Sequence, residues 1–147
     1  MTRAISSHHR TAEVTIHCAD YSVSFAGGSI NADMDKTVFL ESPLGGKSEK
    51  WFANGSYETY RFLPEPGITA TIDFKDGRLL NVSILFRLPD DSEDNRSMEQ
   101  ELRRKQKHDE WLRAELGEPP YGYNWGCVTS DFYHQHCESD IMVVYES

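Results

Sequence analysis

The chain has 147 residues, 38% hydrophobic and 12% aromatic, enough to build one core without metal or disulfide staples. Its 24 acids against 15 bases leave a formal charge of −9, which repels phosphate backbones and disfavours non-specific nucleic-acid binding. No run approaches the roughly 18 apolar residues of a membrane span, and "MTRAISSHHRTAEVTIHC" lacks the apolar stretch of a secretory signal.

Cys18, Cys127 and Cys137 are odd in number and widely spaced, as expected for reduced thiols. A cytoplasmic location is therefore expected, in which the glycosylation sequons at Asn54, Asn81 and Asn95 carry no meaning. The same charge that repels nucleic acid steers a basic protein toward the chain, although ordinary solubility accounts for it equally well.

Residues 1–11 are polar and expected to be flexible, ahead of a single domain over 1–147. "AEVTIHC" alternates, with Val14, Ile16 and Cys18 on one face, and predicts a half-buried strand. "DYSVSFAGG" repeats the pattern through Tyr21, Val23 and Phe25, then ends in a Gly pair suited to a turn. "TVFLE", Thr37 to Glu41, predicts a third short strand, "SPLGGKSEK" a loop, and "SYETYRFL" another strand.

In "GITATIDFKDGRLLNVSILFRLP", Ile68, Ala70, Ile72 and Phe74 form one apolar row and Leu80, Val82, Ile84 and Phe86 form another. A three-residue loop, Lys75-Asp76-Gly77, would pair Ile72 with Leu80 and Ala70 with Val82, so that both rows face the core. A two-residue loop would pair Ile72 with Asn81 instead; the three-residue register is the one expected.

After the acidic stretch "DDSEDNRS", Ser97 followed by Gln100 forms a capping box that opens a helix, and Gly117 stops it after Leu116. Its middle, "RRKQKHDE", is wholly polar. Only Met98, Leu102, Trp111, Leu112 and Leu116 look able to meet a core, so docking of the C-terminal turns and a solvated middle are expected. Strands over about Tyr123–Ser130 and Asp140–Tyr145 follow, with Asp131 to Glu138 as the connecting loop. The expected fold is α+β: a mainly antiparallel sheet of about seven or eight strands with one long helix packed on it. Five or six strands precede the helix and two follow it.

The loop "DFYHQHCE" holds the residues that look most like chemistry. A zinc site there would use His134, His136 and Cys137, with His17, Cys18 or Glu138 as a fourth ligand. All three main donors fall in one short loop, whereas structural zinc clamps two segments, which favours a polar hairpin tip with an incidental thiol. A nucleophile at Cys137 or Cys127, activated by His134 or His136, would be opposed by Asp131, Glu138 and Asp140, whose charges raise a thiol pKa.

"ESPLGGKS" ends like a phosphate-binding loop but has Glu41 where that motif needs glycine, and no helix is evident after it. Trp51 with Phe52, and Phe132 with Tyr133, either fold back onto the core or stand out as anchors for a protein partner.

"HDEWLRAELGEPPYGYNWGCVTSDFY" followed by "SDIMVVY" resembles the tail of small bacterial immunity proteins that neutralise secreted interbacterial toxins. The matching positions are Trp111, Leu112, Leu116, Gly117, Pro119, Trp125, Gly126, Ser130, Ser139, Ile141 and Tyr145. In that pattern an aspartate follows the aromatic after the serine, whereas here Asp131 precedes Phe132 and Tyr133. The resemblance implies a non-enzymatic, cofactor-free binding protein that blocks a cytoplasm-acting toxin with a basic cleft, and no nucleic-acid or membrane partner.

The expected contact residues are Asp90, Asp91, Glu93 and Asp94 in the acidic stretch, with Asp131, Phe132, Tyr133, His134, His136 and Glu138 at the hairpin tip. A metal protein or enzyme using the His134–Cys137 loop, and an adaptor domain of a secretion machine, are the alternatives.

Overall fold

A computed structural model describes residues 14–17, 22–89, 97–133 and 138–145, the side chain of Glu138 excepted. Among them, β1 (Thr15–His17), β2 (Ser22–Phe25) and β3 (Gly28–Asn31) form a small antiparallel sheet in the order β1-β2-β3. Two short helices follow, α1 (Lys36–Glu41) and α2 (Pro43–Gly46). Then come β4 (Glu49–Asn54), β5 (Tyr57–Glu65), β6 (Ile68–Lys75) and β7 (Arg78–Phe86). The long helix α3 (Met98–Leu116) precedes β8 (Tyr121–Tyr123), β9 (Gly126–Tyr133) and β10 (Glu138–Tyr145).

The large sheet runs β4-β5-β6-β7-β10-β9-β8, all antiparallel, so the α+β architecture with one long helix is as the pattern implies. One face of this sheet, carrying Tyr60, Phe62, Ile72, Ile84, Ile141 and their neighbours, forms the core with the small sheet and the helices. No described helix is long and apolar enough to cross a membrane.

Thr37–Glu41 is helix, not strand. Asp35 caps it by accepting a hydrogen bond from the Val38 amide at 2.8 Å, and only Phe39 is buried, with Val38 and Leu40 left exposed. A local cap thus outweighs the strand preference of Thr37, Val38 and Phe39. Ser42 then serves both helices: its hydroxyl donates to the Phe39 carbonyl and accepts from the Gly45 amide, with Pro43 at the first position of α2. The stretch read as a loop from Ser42 to Lys50 is therefore α2 plus the start of β4. Gly45 is required by space, since a Cβ there would lie 1.8 Å from the Phe39 carbonyl oxygen.

Beside α1, the Glu58 carboxylate accepts hydrogen bonds from Lys36 and Tyr60. Those bonds hold its pKa down at about 2.

The β6–β7 hairpin also departs from expectation. Its turn has two residues, Asp76 and Gly77, both with positive φ, and a bulge between Asp73 and Phe74 shifts the register. Ile72 therefore pairs with Val82 and Ala70 with Ile84. Both apolar rows still reach the core, except Leu80, which is only half-buried. Tyr123–Ser130 is split by a tight turn at Asn124 and Trp125 into β8 and β9. Gly126, with φ +150°, lets β9 approach β10 where a Cβ would meet the Val144 carbonyl oxygen at 1.9 Å.

The largest correction concerns α3. Ser97 caps it by accepting from the Gln100 amide, and Gly117 ends it, both as expected. Yet Met98 and Leu102 are exposed, while Gln100, Glu101, Arg104 and His108 are buried beside Leu112. The ladder between β7 and β10 ends at the Ile141–Ile84 pair, and α3 fills the opening beyond it with polar side chains.

Arg104 donates to the Phe86 carbonyl at 2.6 Å, and the Phe86 amide donates to His108 Nε2 at 3.1 Å. Glu101 accepts from the Ser139 amide and twice from Arg104, at 3.0–3.1 Å, while the Ser139 hydroxyl donates to the Glu101 carbonyl. These side chains supply the partners that a continued ladder would have supplied, which is why a polar helix face can be buried.

Candidate functional site

The opposite face of the large sheet carries the alternate side chains of β5, β6, β7 and β10. They line a shallow groove of about 450 Å³, whose walls are Thr59, Arg61, Asp73, Ser83, Asp140 and Trp51, with Thr69, Thr71 and Leu85. Every lining residue belongs to the sheet itself. The Asp73 carboxyl accepts from the Thr59 hydroxyl at 2.5 Å, but burial pushes its pKa up.

The β4 edge sets the character of this face. Lys50 pairs with Tyr60 and Phe52 with Thr59, so Trp51 is the extra residue of a bulge. An unbroken alternation would turn Trp51 toward the core face or Phe52 away from the outer one. The bulge lets both stand outward, 59% and 55% exposed. The Arg61 guanidinium lies 4.7 Å from the centre of the Trp51 ring and Lys75 lies 5.3 Å from that of Tyr57. Tyr57 and Leu63 of β5 are exposed as well.

Of the expected contact residues, Asp131, Phe132 and Tyr133 are not in a loop but extend β9, paired with Asp140, Ser139 and Glu138 of β10. Directly opposed residues share a face, which puts Asp131 with Asp140 on the groove side and Phe132 with buried Ser139 on the helix side. Glu138 opens β10. His134, His136, Asp90, Asp91, Glu93 and Asp94 lie outside the described residues, as do Cys18 and Cys137.

His17 Nε2 sits 2.9 Å from the Ser24 hydroxyl, and Cys127 is a half-buried free thiol opposite Val144. Among the described residues no three His, Cys, Asp or Glu side chains are grouped to hold a metal ion. Gly45 and Gly46 belong to α2 and the Ser48 hydroxyl donates to the Gly45 carbonyl, so this glycine pair shapes a helix end.

Further hollows lie among the described residues. One of about 660 Å³ lies between the β3–α1 turn and the β6–β7 hairpin, with Trp125 and Tyr145 in its wall. Another of about 380 Å³ separates α3 from β9, lined by the Lys105–Asp109 ion pair, Arg113, Tyr121 and Asp131. Burial tends to raise the Asp109 pKa, but the neighbouring Ser130 hydroxyl and the Lys105 ammonium, which donates to it at 2.9 Å, outweigh it and hold the carboxyl below its ordinary value.

The outward pair at Trp51 and Phe52 was visible in the sequence only as aromatics after a loop; the bulge that exposes them has no local signature. Comparison with family models, with curated proteins and with solved structures finds no match for this chain.

Proposed function

We propose that this protein is a non-enzymatic binding protein that neutralises a bacterial toxin by covering its active site, as the resemblance of its C-terminal third implies. The observation that carries the binding role is the exposure of Trp51, Phe52, Tyr57 and Leu63 on β4 and β5, at one edge of the large sheet. Trp, Tyr and Arg dominate the energetics of protein interfaces because they combine large apolar area with directional polar groups. Here Arg61 lies over Trp51, so an arriving partner finds the two already arranged. The chain's −9 charge favours encounter with a cationic cleft, the kind of surface a nuclease or nucleotide-modifying toxin presents.

The purified protein, mixed with the protein encoded beside it, should co-elute on size exclusion and rescue cells from that protein's toxicity. Trp51→Ala with Phe52→Ala should weaken the complex by about 2 kcal/mol or more, as truncation of hot-spot aromatics does, and leave the melting temperature almost unchanged. Absence of a complex and of rescue would refute the proposal.

A further inference from the structure

β4 is one edge of the seven-stranded sheet and all six of its residues are exposed, whereas β8, at the other edge, has only three residues. Cross-strand partners share a face. Glu49, Phe52 and Asn54 stand opposite Arg61, Thr59 and Tyr57, while Lys50 and Ala53 stand opposite Tyr60 and Glu58. Trp51 lies against the Arg61 guanidinium and so joins the first group. From Glu49 to Asn54 the side chains therefore point to the groove side, core side, groove side, groove side, core side and groove side. The bulge makes that order the same in either direction.

The backbone of the edge follows the same ladder. The two-residue turn at Gly55 and Ser56 closes on Asn54 and Tyr57, which in such a hairpin form a hydrogen-bonded pair. Bonded and non-bonded pairs alternate along an antiparallel ladder, so Ala53 and, beyond the bulge, Lys50 turn their N–H and C=O groups away from β5. No described residue takes those backbone groups up. The charged side chains leave the edge open as well. Glu49 pairs with Arg61 at 3.8 Å, and Lys50 folds back to Glu58 at 3.4 Å, its ammonium 5.9 Å from the centre of the Tyr60 ring.

We propose that β4 pairs antiparallel with β4 of a second copy of this chain across a two-fold axis, joining the two large sheets into one. With the axis between Trp51 and Phe52, Lys50 of each copy exchanges backbone hydrogen bonds with Ala53 of the other. Trp51 meets Phe52, and Glu49 lies opposite Asn54. Every opposed pair then shares a face, and no like charges are opposed. The alternative register that also matches faces sets the axis at Lys50 and opposes two ammonium groups, which disfavours it. The contact uses up β4 in both copies and leaves only the short β8 at each end, so growth stops at two. Six residues a side, against roughly 20–30 in a standard interface, make this a weak dimer of micromolar or lower affinity. The dimer does not rest on toxin binding, but both use Trp51 and Phe52, so dimer and toxin complex exclude one another.

Sedimentation velocity of the purified protein from roughly 5 to 500 µM reads the association, at about 0.15 M salt to screen the charge of the two copies. The mass should rise from one chain to two and stop there. Over the same range amide exchange should slow about fivefold or more at Lys50 and Ala53, and stay unchanged at Glu49 and Phe52, whose N–H groups already face β5. Ala53→Pro removes an N–H that pairs across the axis without taking a bond from β5, and should abolish the dimer; Ala53→Ser, which keeps it, should not. Should Ala53→Pro fail to fold by circular dichroism, Trp51→Ala with Phe52→Ala takes its place and should weaken association about tenfold or more. A single-chain mass at every concentration, association that outlives these changes, species larger than a dimer, or protection away from β4 would overturn the proposal. None of these results bears on toxin binding, since no toxin is present.

Discussion

Replacing Glu101 with alanine tests whether α3 is held by its polar face. Glu101 is 1% exposed and its carboxylate receives three hydrogen bonds, two from Arg104 and one from the Ser139 amide. Its removal takes one carboxylate partner from a guanidinium itself 4% exposed and orphans a buried backbone donor. Breaking a buried pair from one side costs about 3–5 kcal/mol, a large share of the roughly 5–15 kcal/mol that holds a domain together.

Urea unfolding followed by circular dichroism should show that loss as a lower midpoint with unchanged slope. Arg104→Ala should cost a similar amount. The double variant should cost less than the sum by more than about 1 kcal/mol, because the second change removes a charge whose carboxylate partner the first had already taken. A Glu101→Ala cost below about 1 kcal/mol, or strict additivity, would show that water replaces the lost partner and that the network is not what seats the helix.

His108 supplies a pH prediction. Burial, aided by Arg104, lowers its pKa from 6.5 to about 3, so the folded state keeps it neutral with Nε2 accepting from the Phe86 amide. The unfolded chain binds a proton that the folded chain refuses between those values. Stability should therefore be complete above pH 6.5 and fall by about 1.4 kcal/mol per unit as pH drops toward 3. His108→Gln, which keeps an acceptor but does not titrate, should flatten urea midpoints measured between pH 6.5 and 5; parallel profiles would contradict this.

Gly45→Ala should cost about 1–3 kcal/mol or more by forcing α2 away from the Phe39 carbonyl. Gly46→Ala, with open space around its Cβ, should be neutral or stabilise by about 0.4–1 kcal/mol. Thermal melts of the two variants check the contrast, and equal effects would mean that the close approach at Gly45 relaxes.

What the amino-acid order determined unaided is the part of the molecule that depends on near neighbours. Alternation at Val14–Ile16, Val23–Phe25 and Ile68–Phe74 marks strands, because side chains of a strand alternate faces whatever it pairs with. Ser97 and Gly117 bound α3 because capping is settled within one helical turn. Acidity, a formal charge of −9, is likewise a property of composition.

Tertiary structure decided the rest. The bulges at Trp51 and beside Phe74 arise from pairing with β5 and β7, so the outward aromatic pair and the true hairpin register are invisible locally. The polar stripe of α3 looks like a solvated face until β7 and β10 part and leave Phe86 and Ser139 in need of partners. Asp131 and Asp140, nine positions apart in a stretch that resembles a loop, become opposed carboxylates only when β9 and β10 zip together. Each of these depends on where a distant segment places its unpaired backbone groups, and that information is absent from any local run of residues.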